Sequence, residues 1–135
     1  MKIEEQVLSR EQMAHLVELG VDTSDASMAW FMSPKTKQWK IKVKNNFSHE
    51  LLLRLSPERY IPTYTIGDLI EKLPKQIGWY DLSVCWKNEC VKYDDWISEE
   101  VTDYIGDFNF EYRPLIEALY DCLCWVAENH KELIK

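Results

Sequence analysis

Trp79-Tyr80-Asp81-Leu82-Ser83-Val84-Cys85-Trp86-Lys87-Asn88-Glu89-Cys90-Val91-Lys92-Tyr93-Asp94-Asp95-Trp96 is the stretch that decides the fold class. Tyr80, Leu82, Val84 and Trp86 alternate with Asp81, Ser83 and Cys85, the two-residue period of a strand with one apolar and one polar face. Cys90 to Trp96 returns as its antiparallel partner across a turn at Lys87-Asn88. That pairing sets Cys85 opposite Cys90, on the face that also carries Asp81 and Ser83.

A second hairpin lies upstream, with Ser27–Ser33 and Gln38–Lys44 as arms and Pro34-Lys35-Thr36-Lys37 between them. Trp39, Ile41 and Val43 alternate with Lys40, Lys42 and Lys44, so the lysines form the wet side of a strand and guard a sheet edge. Phe108, Phe110 and Tyr112 alternate with Asp107, Asn109 and Glu111 and predict a last strand. Helices flank these elements. Ser9 with Gln12 forms a capping box ahead of Met13, Leu16 and Val17, and Gly20 ends that helix. Thr65 to Asp68 opens a short second helix through Leu73, stopped by Pro74. Pro114 opens the longest one, in which Leu115, Ile116, Leu119, Leu123, Val126 and Ala127 keep helical spacing as far as Asn129. Leu51–Leu55 is too short for its type to be assigned. Hairpins are antiparallel and helices do not alternate with strands in βαβ order. The expected architecture is therefore α+β, an antiparallel sheet of hairpins with a long C-terminal helix and shorter helices packed on one face.

A chain of 135 residues that is 46% hydrophobic and 13% aromatic can bury one core without staples. No linker, repeat or low-complexity tract divides it, so one globular domain over residues 1–135 is expected, with residues 1–8 outside the ordered body. No apolar run is long enough to span a bilayer and no secretory segment precedes Ser9. The expected setting is cytoplasmic, with the four cysteines reduced and no membrane partner.

Sixteen Lys and Arg against 23 Asp and Glu give a net charge of −7, which opposes a phosphate backbone and argues against direct nucleic-acid binding. Asp94, Asp95, Glu99, Glu100, Asp103, Asp107 and Glu111 form an acidic region, read first as a solvated face. No phosphate loop, dinucleotide fingerprint, zinc-protease, nucleophile-elbow or calcium-loop pattern occurs. No catalytic residue, cofactor site or metal site is assigned, and His15, His49 and His130 are scattered singly. Cys122 and Cys124, two apart on a helix, point to nearly opposite sides and cannot share a metal. Cys85 and Cys90 remain as a thiol pair, read as structural before redox-active.

Tyr60-Ile61-Pro62-Thr63-Tyr64-Thr65-Ile66-Gly67-Asp68, running on to Lys75, and Pro114-Leu115-Ile116-Glu117-Ala118-Leu119, running on to Asn129, carry a resemblance, joined by Leu8–Met13 and Leu19–Ser24. There the chain resembles a group of small uncharacterised proteins of bacterial phages, prophages and mobile elements. The resemblance implies a phage-related setting and no functional residues. With six Trp and seven Tyr beyond the needs of one core, the leading expectation is a non-enzymatic interaction module that binds a host protein or associates with itself as a homo-oligomer. One alternative is an acidic inhibitor whose Asp94–Glu111 region mimics nucleic acid and occupies a host nucleic-acid enzyme. Another is a small enzyme with an unfamiliar site.

Overall fold

The computed structural model describes residues 2–44, 59–96 and 102–134, without the side chains of Trp96, Thr102 and Asp103. Leu51–Leu55, His49, Glu99 and Glu100 lie outside the described residues. The fold is α+β, with antiparallel sheets of three and four strands and a long C-terminal helix. The chain divides into two compact units, Met1–Asp68 and Leu69–Lys135.

In the first unit, α1 (Arg10–Glu18) begins as its capping box predicts. Ser9 Oγ accepts the Gln12 N–H at 3.1 Å, and Gln12 Oε1 accepts the Ser9 N–H at 2.9 Å. At the other end Gly20 takes φ 88°, which a residue with a Cβ adopts only under strain. This conformation lets Gly20 N–H reach the Val17 carbonyl and Val21 N–H reach that of Leu16, closing the helix while Leu16 and Val21 stay buried.

The three-stranded sheet runs β2-β1-β3 and comprises β1 (Met28–Met32), β2 (Trp39–Val43) and β3 (Tyr60–Thr63). The β1–β2 hairpin has the predicted arms, with Lys40 and Lys42 exposed on the outer strand. Val43, expected inside, is 43% exposed at the end of β2, where Met28 is its one paired neighbour among the described residues. Pro62 sits in β3 opposite Ala29, a position open to proline because, among the described residues, β3 is an edge of its sheet.

Residues 2–8, expected outside the ordered body, are part of this unit. Ile3–Glu5 forms a 3-10 turn, Val7 bridges to Thr65, and Val7 and Leu8 are buried. Burying Leu8 requires partners for its peptide groups. Its N–H donates to the Tyr64 carbonyl at 3.0 Å, and its carbonyl accepts from Trp30 Nε1 at 2.9 Å and Thr63 Oγ1 at 2.7 Å. The next helix, α2 (Ile66–Lys72), opens with Thr65 and Asp68 bonded reciprocally at 3.0 and 3.1 Å. Asp68 Oδ2 also accepts from Ser27 Oγ at 2.7 Å and thereby ties the start of β1 to the helix start.

The second unit holds the four-stranded sheet β4-β5-β6-β7, built from β4 (Gln76–Ile77), β5 (Tyr80–Cys85), β6 (Cys90–Trp96) and β7 (Thr102–Asn109). The strand expected around Phe108–Tyr112 starts earlier and stops before Phe110, leaving Tyr112 in the turn beyond it. Helix α3 (Leu115–Asn129) packs on β6 and β7 through Ile116, Leu119, Leu123 and Val126, all buried. Trp125 lies against Tyr93 and Phe108. A Cβ on Gly106 would come within 3.2 Å of the Trp125 ring, and Gly106 has φ 64°, so glycine is required there twice over. No helix among the described residues is long and apolar enough to cross a membrane.

Two substitutions grade these contacts. Leu123→Ala removes a fully buried side chain under α3 and is expected to lower stability by about 2–5 kcal/mol. Ser9→Ala removes only the cap and should lower it by about 1 kcal/mol. Urea midpoints with unchanged slopes provide the check.

Candidate functional site

In the second unit the hairpin predicted from sequence is present in the predicted register. Asp81 pairs with Asp94, Ser83 with Lys92, and Cys85 with Cys90, and the turn occupies residues 86–89. Side chains of paired residues share a face. One face carries Leu82, Val84, Val91 and Tyr93 towards α3; the other carries Asp81, Ser83, Cys85, Cys90, Lys92 and Asp94. On β7 Asp107 stands opposite Lys92, and Asn109 opposite Cys90.

The two thiols are free and unequal. Cys90 is 5% exposed, whereas Cys85 is half-buried. Burial, then the Asp107 carboxylate, which also accepts a hydrogen bond from the thiol, push the Cys90 thiol up; Lys92 pulls it partly back. Cys90 is held protonated, the state least suited to nucleophilic attack. On α3, Cys122 is fully buried and its thiol is pushed up to about 12 by burial, while Cys124 is pushed up to about 11 by the same cause. Cys122 fills core, as a small apolar side chain does.

Among the described residues, the acidic side chains Asp94, Asp95, Asp107 and Glu111 do not share one face. Asp94 is buried at 4% exposure on the thiol face, and Asp95, the next residue of the strand, points the other way. Asp107 is exposed beside Lys92, and Glu111 is exposed in the turn after β7. Asp103 pairs with Asp95 in the backbone. His15 lies exposed 3.8 Å from Glu18, and His130 packs edge-on against Trp125 at the end of α3. No group of three metal-ligating side chains comes together among the described residues.

What sequence counting did not reveal is where the surplus aromatics stand. Trp79 is 85% exposed, Trp86 69% and Tyr112 91%. Trp86 is in the β5–β6 turn with its ring edge-on to Phe110, the centroids 5.6 Å apart. Phe110 N–H donates to the Glu89 carbonyl at 2.6 Å and holds that turn beside the connection leading into α3. Tyr112 follows two residues later, so Trp86 and Tyr112 belong to one end of the sheet, above a buried Phe110. Trp79 precedes β5 at its opposite end, beside Gly78 with φ 60°.

Concavities offer less chemistry. In the first unit, a groove of about 390 Å³ is lined by Arg10, Met13, Ala14, Val17, Thr23, Tyr60, Ile61 and Pro62. Another, of about 350 Å³, is lined by Ile3, Gln6, Val7, Met28, Thr65, Ile66 and Gly67. Neither lining holds a carboxylate, histidine or thiol. Arg10 covers the face of Trp39, 4.3 Å from the ring centre, with its guanidinium. No protein family, curated protein or solved structure matches the chain.

Thiol chemistry gives two checks. Iodoacetamide at neutral pH should modify Cys85 first and Cys122 last in the native protein, as peptide mapping over time would read. The raised Cys122 and Cys124 thiols also fix the sign of a pH effect. Below the ordinary thiol range both folded and unfolded chains keep these protons, and nothing changes. Above about pH 8.5 the unfolded chain loses protons that the folded chain retains, so stability falls as pH rises. Urea midpoints should decline between about pH 9 and 11, and less steeply in Cys122→Ala.

Proposed function

We propose that this chain is a non-enzymatic protein-interaction module of a phage or mobile-element setting, working in the cytoplasm and binding a host protein or a second copy of itself. One observation carries the reading: Trp86 and Tyr112 stand exposed at one end of the second unit's sheet. An exposed tryptophan forgoes burial of about 150–250 Å², several kcal/mol at roughly 25 cal/mol per Å². Large aromatics at a surface regain that energy by entering a partner's pocket, and they dominate interface energetics. The phage setting is supported by the resemblance of the segments around Tyr60–Lys75 and Pro114–Asn129.

Trp86→Ala and Tyr112→Ala test the reading, with Val17→Ala, on an exposed face of α1, as control. Scattering mass across a concentration series reads self-association, and affinity capture from the host reads a foreign partner. The expected result is at least about a tenfold loss of the interaction on either aromatic substitution, with circular dichroism unchanged and the control neutral. A monomeric mass together with no partner, or a partner bound equally by both variants, overturns it.

A further inference from the structure

The Cys85–Cys90 pair sits in a hydrogen-bond phase that can be read from its neighbours. Leu82 N–H donates to the Lys75 carbonyl at 2.9 Å, so the peptide groups of Leu82 point towards the β4 side. Peptide groups along a strand alternate in direction, which turns those of Ser83 and Cys85 towards β6. On the partner, the Glu89 carbonyl accepts from Phe110 beside β7, which turns Cys90 towards β5. Cys85 and Cys90 are therefore a hydrogen-bonded pair, the wider of the two kinds, with Cα atoms about 5.5 Å apart.

That Cα separation lies within the range of a disulfide, but the Cβ atoms, up to about 5.5 Å apart, must close to about 3.5–4.5 Å. A bond here can form at the cost of local twist, and strain makes it easy to reduce. The thiols differ in access in the way an exchange reaction needs, Cys85 half-buried and Cys90 nearly closed off. We propose that Cys85 and Cys90 form a reversible redox site, oxidised by a low-molecular-weight disulfide to an intramolecular cross-strand bond that closes the turn bearing Trp86.

The exchange proceeds in two displacements. Cys85, as thiolate, attacks one sulfur of the small disulfide; an S–S bond breaks, a mixed disulfide forms on Cys85, and one small thiolate leaves and takes up the proton that Cys85 released. Cys90 then gives up its proton, and its sulfur attacks Cys85 Sγ and expels the second small thiol, which takes that proton. Two protein thiols are oxidised and one small disulfide is reduced to two thiols.

Incubation of the full chain with oxidised glutathione, followed by alkylation and peptide mapping, tests the proposal. Two of the four thiols should disappear in favour of a Cys85–Cys90 linkage, and excess reduced glutathione should restore them. The double variant Cys122→Ser with Cys124→Ser should behave alike; should it not fold, the mapping of the unaltered chain decides alone. Cys90→Ser should arrest at the mixed disulfide on Cys85, and Cys85→Ser should form no internal bond. Four persistent thiols, a linkage through Cys122 or Cys124, only intermolecular dimers, or a Cys85–Cys90 bond that reduced glutathione does not reopen would each overturn it.

Discussion

The register of the β5–β6 hairpin is the constraint on which the second unit depends. Side chains in a strand alternate with a period of two, so a slip by one residue would exchange Val91 and Tyr93 for Lys92 and Asp94 on the side that meets α3. Val91 and Tyr93 are both fully buried. Tyr93 adds a polar condition, because its hydroxyl donates to the Pro74 carbonyl at 2.8 Å. Burial drives the Tyr93 hydroxyl far above its ordinary range, so it stays a donor. One residue therefore couples the apolar face to a fixed point of the chain between α2 and β4. The opposite face inherits its composition from that choice, and in the observed register the two cysteines meet there.

This dependence explains which parts of the fold were legible in the sequence. Both capping boxes were, since Ser9 with Gln12 and Thr65 with Asp68 close within four residues. The hairpins and α3 were too, because alternation and helical spacing report the faces that local structure must bury. Features set by distant partners were not. Strand β3 was hidden by Pro62, acceptable only once β3 proves to be an edge. The first eight residues gave no periodic signal, yet Leu8 is held by Trp30, Thr63 and Tyr64. Strand β7 was misplaced by its bulge, where the register shifts opposite Lys92 and Tyr93 and Gly106 makes room for Trp125. Alternation read downstream of that bulge pointed towards Tyr112, which is outside the strand.

The candidate site divides along the same line. The pairing of Cys85 with Cys90 follows from a local hairpin and was visible in the spacing of the two residues. The acidic region looked continuous in sequence because composition ignores the pleat. Asp94 and Asp95 are neighbours in the chain and face opposite sides of the sheet, one of them buried. A phosphate mimic needs its charges on one accessible surface, and this pair does not share one. Aromatic excess, conversely, gave a count without a location. Trp125 is enclosed by Tyr93, Phe108 and His130, whereas Trp86 touches Phe110 with an edge and leaves most of its surface open.

The two thiols are separated by only the four residues of the aromatic turn, and that shortness decides what a bond between them can do. Closing so small a loop removes little freedom from the unfolded chain, about 2 kcal/mol by the chain-entropy relation, and local strain works against even that. Oxidation at this place is therefore a poor way to stabilise the unit. It acts instead on the geometry of residues 86–89, whose carbonyl at Glu89 holds Phe110 and whose indole at Trp86 rests on the Phe110 ring. A twist imposed at Cys85 and Cys90 has to be taken up by those contacts, because β6 is fixed on its other side by Val91 and Tyr93 under α3. The hairpin's register confines any redox change to the end of the sheet where Trp86 and Tyr112 are exposed.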